Sequence, residues 1–189
     1  MLSIEDLAEK IQSIGFRCVR CGTCCRHVSP DSNLVLVSPD EIKAIISATG
    51  LTWDKVAEPY PETIDDHHGA RFTIGWCLRR NNDHCRFFHD GACTIYQNRP
   101  WICQTYPFML DEERLVVSPC EGLGHTMSEE DALIIISKLL ERQTAEKEEE
   151  ERVRQVLKRN QISTKRFVVI DSEGIKEIDS LDRNTIPAK

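Results

Sequence analysis

Cysteine is the residue type whose number and spacing point to chemistry in this chain of 189 residues. There are nine cysteines, and all of them lie in the first 120 residues. In a reducing compartment, thiols clustered in this way indicate metal binding or redox chemistry rather than structural disulfides. They stand at Cys18, Cys21, Cys24, Cys25, Cys77, Cys85, Cys93, Cys103 and Cys120.

The tightest group has the spacing Cys18-x2-Cys21-x2-Cys24. Bacterial ferredoxins use this spacing to present three thiolates to one 4Fe–4S cluster, whose fourth ligand comes from a distant cysteine beside a proline. Cys120 directly follows Pro119 and is therefore a candidate for the fourth ligand. The spacing predicts an iron–sulfur centre.

Eight thiolates are enough for two sites of four ligands each. Because adjacent side chains diverge, Cys25 is expected to serve a second centre or a shared bridging position rather than the corner that Cys24 occupies. His125 follows Cys120 closely and is a reserve ligand. One partition gives Cys18, Cys21, Cys24 and Cys120 to the first site and Cys25, Cys85, Cys93 and Cys103 to the second. The spacing alone does not select this partition over others.

Zinc is the main competitor of iron–sulfur, because four thiolates arranged tetrahedrally also form a structural zinc site. Zinc ribbons and fingers generally carry close ligand pairs on both sides, whereas the cysteines from Cys85 to Cys120 are widely spaced in the sequence. This wide spacing favours an iron–sulfur centre over zinc. A hydrolase that pairs Cys103 with His84 or His89 is a weaker alternative, because it leaves most of the cysteines without a role.

Five segments carry a family resemblance: residues 16–26, 38–42, 85–88, 93–108 and 119–124. On these segments the chain resembles the CxxCxxCC cysteine-cluster family (YkgJ-type), described as zinc- or iron-chelating proteins and sometimes labelled Fe–S oxidoreductases. The resemblance spans about residues 16–125. It implies that every cysteine except Cys77 is a metal ligand and that Cys77 is structural.

The flagellin lysine N-methylases are similar over the same cysteine pattern. That similarity implies protein-lysine methylation with S-adenosylmethionine as a further alternative. The chain is too short to contain the additional regions that those enzymes have. Its Gly122-Leu-Gly124 pair belongs to the cysteine motif and lacks the strand-to-helix context of a nucleotide-binding loop.

The overall charge and hydropathy exclude several other classes. The formal net charge of −7 argues against a nucleic-acid-binding protein. No stretch is apolar for the roughly 18 residues that a membrane-spanning helix needs. Glu5 and Asp6 stand where a signal peptide would carry basic residues, so a cytoplasmic location is expected. The sequence does not indicate a small-molecule substrate.

Short helices and strands must position the cysteines, which predicts an α+β fold. A capped helix is predicted from Ser3 to a stop at Gly15, and a second from Ser38 to a stop at Gly50. A short strand is predicted at 34–37, and a further helical turn within 51–57.

Residues 71–78 alternate between apolar and polar side chains and predict one strand. Residues 85–88 and 93–96 predict a hairpin around a three-residue connection, 89–91. In that register Cys85 and Cys93 share a face, whereas a two-residue turn would place them on opposite faces.

A helix is predicted to start at Asn98-Arg99-Pro100, with Asn98 as its cap. Cys103 would then lie near the helix N-terminus, where the partial positive charge favours a thiolate. A short strand is predicted at 115–117. Arg26, Arg99 and Tyr106 stand beside candidate ligands and are expected to tune a metal centre.

The sequence predicts two domains: a metal-stabilised cysteine domain at 1–127 and a C-terminal region at 128–189. The C-terminal region is predicted to contain a long helix opened by Ser128, a terminal hairpin at 165–178 and a tail at 179–189. Ten of the fourteen residues in 141–154 are charged. This charged stretch predicts a solvated helix face or, as an alternative, a surface that binds another protein.

Overall fold

The computed structural model describes residues 3–26, 33–65, 69–81, 84–112, 114–160 and 166–178. Helices and strands are both present, which confirms the predicted α+β class. The helices are α1 (Ile4–Ile14), α2 (Pro39–Thr49), α3 (Trp53–Val56), α4 (Trp101–Thr105) and α5 (Glu129–Arg159), and 3-10 helices lie at Thr23–Cys25 and Tyr96–Asn98. The strands are β1 (Leu36–Val37), β2 (Ala57–Pro59), β3 (Ile64–Asp65), β4 (Arg71–Ile74), β5 (Trp76–Leu78), β6 (Arg80–Asn81), β7 (His84–Cys85), β8 (Phe88–His89), β9 (Ala92–Cys93), β10 (Phe108–Asp111), β11 (Arg114–Val117), β12 (Val168–Asp171) and β13 (Gly174–Glu177).

The chain divides into two compact units, each built from two separate stretches. The first, which we call the cysteine-rich unit, combines Met1–Arg26 with Phe87–Glu146 and contains seven of the nine cysteines. The second, which we call the sheet unit, combines His27–Arg86 with Lys147–Lys189. The sequence-based division after residue 127 stays a prediction.

The cysteine-rich unit has its apolar core among α1, the β10–β11 hairpin and the first half of α5. Ser3 caps α1 in a capping box with Asp6, and Gly15 ends the helix, as predicted. Ser128 accepts a hydrogen bond from the Asp131 backbone at the start of α5, also as predicted. The core residues are Leu7, Ala8, Ile11, Phe108, Met127, Ala132, Ile136 and Leu139.

The sheet unit is built on a four-stranded sheet of order β13-β12-β4-β3 and a three-stranded sheet of order β1-β5-β2. The terminal hairpin of β12 and β13 is confirmed, and β12 also pairs in parallel with β4, which local sequence patterns did not indicate. Val168 and Ile170 of β12 are fully buried. The buried Asp171 carboxylate accepts a 2.7 Å hydrogen bond from the Trp76 indole.

Three local predictions need correction. The single strand predicted at 71–78 is broken by Gly75, whose φ of 82° interrupts β4 and β5. The two residues of the turn in the 88–93 hairpin are Asp90 and Gly91, both at positive φ, and the register pairs Phe88 with Cys93. The predicted three-residue connection is therefore wrong. The inference that Cys85 and Cys93 share a face depended on that connection and is no longer supported.

The third correction concerns Asn98, which does not cap the helix that carries Cys103. It ends the 3-10 helix Tyr96–Asn98, and α4 begins after Pro100, which occupies the cap position without a side-chain hydrogen bond. Cys103 still lies in the first turn of α4, where its backbone N–H donates to the Pro100 carbonyl.

Helix α5 contains the charged stretch 141–154. On this stretch Arg154 pairs with Glu150 at 2.6 Å, and Arg152 pairs with Glu149 at 3.0 Å and with Asp40 at 3.6 Å. Within the described residues, no helix is both long and apolar enough to cross a membrane. The predicted tail at 179–189 lies outside the described residues, and the partner-binding role of 141–154 stays a prediction.

Candidate metal centre

Three segments of the cysteine-rich unit carry its thiols. The first is the loop at 16–26, which carries four cysteines. The second runs from the β8–β9 hairpin to α4 and carries two, and the third is the turn at 119–124, which carries one. The seven thiols are Cys18, Cys21, Cys24, Cys25, Cys93, Cys103 and Cys120.

Left-handed backbone conformations shape the loop at 16–26. Arg20 and Gly22 have φ values of 56° and 76°. Gly22 lies against the Phe88 ring of β8 so closely that a Cβ atom would be 2.2 Å from the ring carbon Cζ. The Arg26 guanidinium lies 5.5 Å from the centre of the same ring. The loop can therefore dock on β8 only because residue 22 has no side chain.

The turn at 119–124 is attached to the same loop by its backbone. The Arg17 N–H donates a 3.0 Å hydrogen bond to the Gly122 carbonyl, and Phe16 forms a bridge with Leu123. A Cβ atom on Gly122 would lie 2.3 Å from the Arg17 carbonyl oxygen. The Thr23 hydroxyl donates to the Glu121 carboxylate at 3.3 Å. These contacts bring Cys120 to the loop, although about a hundred residues separate them in the chain.

Cys120 lies within electrostatic range of the three cysteines of the Cys-x2-Cys-x2-Cys motif. Burial raises the pKa of its thiol, and the charges of Cys21, Cys24 and Cys18 raise it further. The Gly122 N–H points at its Sγ atom at 3.4 Å. An N–H group directed at sulfur is a usual feature of thiolate ligands in iron–sulfur proteins.

Tyr106 joins α4 to this group. Its hydroxyl donates to the Pro119 carbonyl. Burial raises the pKa of the phenol, and the charges of Cys120, Cys24 and Cys21 raise it further. Tyr106 therefore lies within electrostatic range of Cys120, Cys24 and Cys21.

Cys24 and Cys25 lie side by side in the 3-10 helix Thr23–Cys25, with their Sγ atoms 3.9 Å apart. The hydrogen bond between the two sulfurs lowers the pKa of Cys24 to about 7, and the positive charge of Arg99 contributes to this shift. Burial raises the pKa of Cys93, while the Arg99 charge opposes that rise and the Cys24 charge adds to it. Cys24 is thus in electrostatic range of both Cys25 and Cys93.

Arg99 is held in place by Tyr96. Its guanidinium lies 3.6 Å from the centre of the Tyr96 ring, and its Nε donates a 2.8 Å hydrogen bond to the Tyr96 carbonyl. The Arg20 guanidinium lies 5.1 Å from the same ring. The sequence pattern indicated Arg99 but not Arg20 or Tyr96. The separation of three residues between Tyr96 and Arg99 was the available signal, because residues three apart face each other on a helix.

Two cysteines belong to the sheet unit. Cys77 is completely buried, burial raises the pKa of its thiol to about 12, and the thiol donates to the Glu58 carbonyl at 3.7 Å. Cys85 is buried on β7 and pairs in register with Arg80 of β6. The environment of Cys77 is that of a structural thiol, which stays neutral at physiological pH.

The thiols of the cysteine-rich unit are of the right chemistry for zinc or iron. Within the described part of the chain, however, no three Cys, His, Asp or Glu side chains stand in an arrangement that could hold a metal ion, and His125 joins no such group. The described geometry is therefore one of neighbouring thiols that an ion would have to draw closer. The assignment of the eight ligands stays a prediction.

Comparison with known proteins finds a family model that matches the chain. The model of the CxxCxxCC family, described as a putative zinc- or iron-chelating domain, matches residues 17–121. The matched region begins just before Cys18 and ends just after Cys120, so it contains the whole set of cysteines. No curated protein and no solved structure has significant similarity to the chain.

Proposed function

Because the chain belongs to the CxxCxxCC family of zinc- or iron-chelating domains, we propose that its cysteines hold one or two iron–sulfur clusters that serve electron transfer or redox chemistry. The proposed ligands are Cys18, Cys21, Cys24, Cys25, Cys85, Cys93, Cys103 and Cys120. A bound iron–sulfur cluster would supply one-electron transfer.

The observation that carries this proposal is the grouping of Cys120 with the Cys-x2-Cys-x2-Cys motif. The charges of Cys18, Cys21 and Cys24 all act on the Cys120 thiol. Three closely spaced thiols and one distant thiol beside a proline are the ligand pattern of a 4Fe–4S cluster. The Gly122 N–H directed at the Cys120 sulfur supports the same conclusion, since such hydrogen bonds stabilise negative charge on sulfur.

The chain also supplies positive charge beside the thiols. Arg99 acts electrostatically on Cys24 and Cys93, and its stacking on Tyr96 fixes its position. Cations near a thiolate-bound centre favour its more negative, reduced form and raise its reduction potential. The proposed role of Arg99 is therefore to set that potential.

Structural zinc is the second candidate, because four thiolates also satisfy a closed tetrahedral zinc site. In this case the working surface would be the charged stretch 141–154, where side chains such as Arg154 and Glu150 are largely exposed. We propose a protein partner for this surface only in combination with zinc. Methylation with S-adenosylmethionine stays a prediction from the family resemblance.

The test is the metal and acid-labile sulfide content of the full chain purified without oxygen. Iron with a matching amount of sulfide, and a visible absorption that bleaches with dithionite, is the expected result. Cys24→Ser should lose most of the iron, whereas Cys77→Ala, outside the proposed ligand set, should keep it. Zinc without sulfide would overturn the iron–sulfur proposal and favour the zinc candidate.

A further inference from the structure

Cys24 and Cys25 are the two adjacent cysteines of the chain, and their sulfur atoms lie 3.9 Å apart. A disulfide bond is about 2.05 Å long, so side-chain rotation has to close a gap of about 2 Å. We propose that these two thiols form a reversible redox pair, which a hydroperoxide oxidises to a disulfide between neighbouring residues. The proposal requires no particular metal.

The local backbone keeps the two sulfurs on the same side. Both residues belong to the 3-10 helix Thr23–Cys25, whose N-terminal cap is the left-handed Gly22. The Cys25 N–H donates to the Gly22 carbonyl at 2.9 Å, and the Arg26 N–H donates to the Thr23 carbonyl at 3.3 Å. In an extended strand, adjacent side chains would point to opposite faces, whereas this tight turn holds the thiols in contact.

The exposure of the two thiols also suits the reaction. Cys24 is exposed and Cys25 is partly exposed, so a small peroxide can reach the pair. Cysteines that sense oxidants are characteristically accessible and have a second thiol positioned to resolve the first oxidation product.

The oxidation balances in two steps. The Cys24 thiolate attacks one oxygen of the hydroperoxide ROOH, which forms Cys24–SOH and releases ROH after protonation. The Cys25 thiol then attacks the Cys24 sulfur, which forms the S–S bond and releases water. The sum is two thiols plus ROOH giving one disulfide, ROH and H2O, with two electrons passing from the sulfurs to the peroxide. A dithiol reductant then supplies two electrons and two protons, which restores both thiols and leaves the reductant as a disulfide.

A disulfide at this position would be easy to reduce. Neighbouring Cα atoms are about 3.8 Å apart across a trans peptide bond, whereas disulfide-linked residues usually have Cα atoms about 4.4–6.8 Å apart. The resulting strain raises the reduction potential of the bond, and strained, exposed disulfides are the labile ones. This pair therefore suits a reversible switch rather than a structural crosslink.

One consequence rests on the proposed function. If Cys24 and Cys25 are metal ligands, the disulfide withdraws two of them at once, and peroxide should release metal. The disulfide itself does not depend on that assignment. Metal content and disulfide mapping therefore report on two separate proposals.

The test is to treat the full chain, as purified, with hydrogen peroxide and then to alkylate the remaining thiols. Trypsin cleaves after Arg20 and Arg26, which gives the peptide of residues 21–26 with three cysteines. The expected peptide has lost two hydrogen atoms and carries one alkyl group, which fragmentation places on Cys21. Treatment with a dithiol reductant before alkylation should restore three alkyl groups.

Matched variants within the same peptide sharpen the test. Cys24→Ser and Cys25→Ser should each abolish the loss of two hydrogens, whereas Cys21→Ser should keep it and leave the peptide without an alkyl group. A bridge from Cys21 or Cys93 in the wild-type chain would overturn the proposal, as would sulfinic or sulfonic acid on Cys24 without a disulfide. The wild-type mapping decides the question even if a variant fails to fold.

Discussion

The sheet unit and the cysteine-rich loops of this protein are held together by different means. In the sheet unit, strand β12 is paired on both sides and its residues Val168–Asp171 are all buried. The loop at 16–26 has little regular structure and lies mostly at the surface, with Cys18 and Cys24 exposed. Burial of apolar side chains stabilises the sheet unit, whereas the loop at 16–26 depends on close backbone approaches and, as we propose, on a bound metal.

The largest expected effect follows from removal of that metal. Anaerobic treatment with a strong chelator should abolish the protection of backbone amides against hydrogen exchange at 16–26 and 119–124. Structural zinc contributes about 10–16 kcal/mol of binding free energy in small zinc-finger peptides, so the loss should be easily visible.

The comparison of the two regions sharpens this prediction. Amides of β12, in the sheet unit, should remain protected after chelation, because their hydrogen bonds to β4 and β13 involve no cysteine. Equal loss of protection in β12 and in the loop at 16–26 would mean that the regions do not differ as we describe. Unchanged protection of the loop would mean that metal does not hold it.

A core truncation in the sheet unit should have the next largest effect. Ile170→Ala removes a fully buried side chain from β12 and should lower the free energy of unfolding by about 2–5 kcal/mol. Its register partner on β4, Ile74, is 38% exposed, so Ile74→Ala is the matched control and should cost clearly less. Denaturant titration measures both variants, and equal costs would contradict the burial argument.

Gly22→Ala tests the close approach of the cysteine loop to β8. Alanine at this position meets both a left-handed backbone with φ of 76° and the Phe88 ring 2.2 Å from its Cβ. The expected loss of stability is about 2–3 kcal/mol, with roughly 1–2 from the backbone and the rest from the clash. Bound metal should fall in parallel, measured per chain after gel filtration.

Gly50 provides the matched control for this substitution. Its φ of 71° is similar, but a Cβ atom there would meet no atom within 4 Å. Gly50→Ala therefore reports the backbone cost alone and should leave the metal content unchanged. Truncation of the ring in the double variant Gly22→Ala/Phe88→Ala should recover part of the metal binding, and an equal loss of metal in both glycine variants would refute the clash.

The sequence predicted those parts of the molecule whose causes are local. The capped helices that begin after Ser3 and Ser38 and the hairpin of β12 and β13 follow from residues within a few positions of each other. The contact between Gly22 and Phe88 and the parallel pairing of β12 with β4 join residues far apart in the chain, and no local pattern encodes them.

The candidate site shows the same limit. Thiol spacing indicated Cys18, Cys21, Cys24 and Cys120, and the fold brings the first three into electrostatic range of Cys120. The hairpin register at Cys93 was wrong, because two-residue and three-residue turns share the sequence Asp90-Gly91 and differ only in backbone conformation. Cysteine spacing therefore identifies the candidate ligands better than it identifies the strand faces on which they lie.

The smallest effect is expected at the surface of the sheet unit, where Glu173 contacts Lys43 and Lys176. Hydrogen bonds from these lysines hold the pKa of the Glu173 carboxyl below its ordinary value. Because the pKa is lower in the folded chain, the contribution to stability is present above the unfolded pKa and is lost as the pH falls through the folded value.

Glu173→Gln should therefore lower the stability at pH 7 by less than about 1 kcal/mol, because the side chain is 35% exposed and water screens its charge. The difference from the wild-type chain should vanish at a pH below the folded pKa, where both side chains are neutral. Denaturant titrations at the two pH values measure it. A difference that persists at low pH would show that packing rather than charge stabilises this contact. The surface of the sheet unit would then be stabilised in the same way as its core.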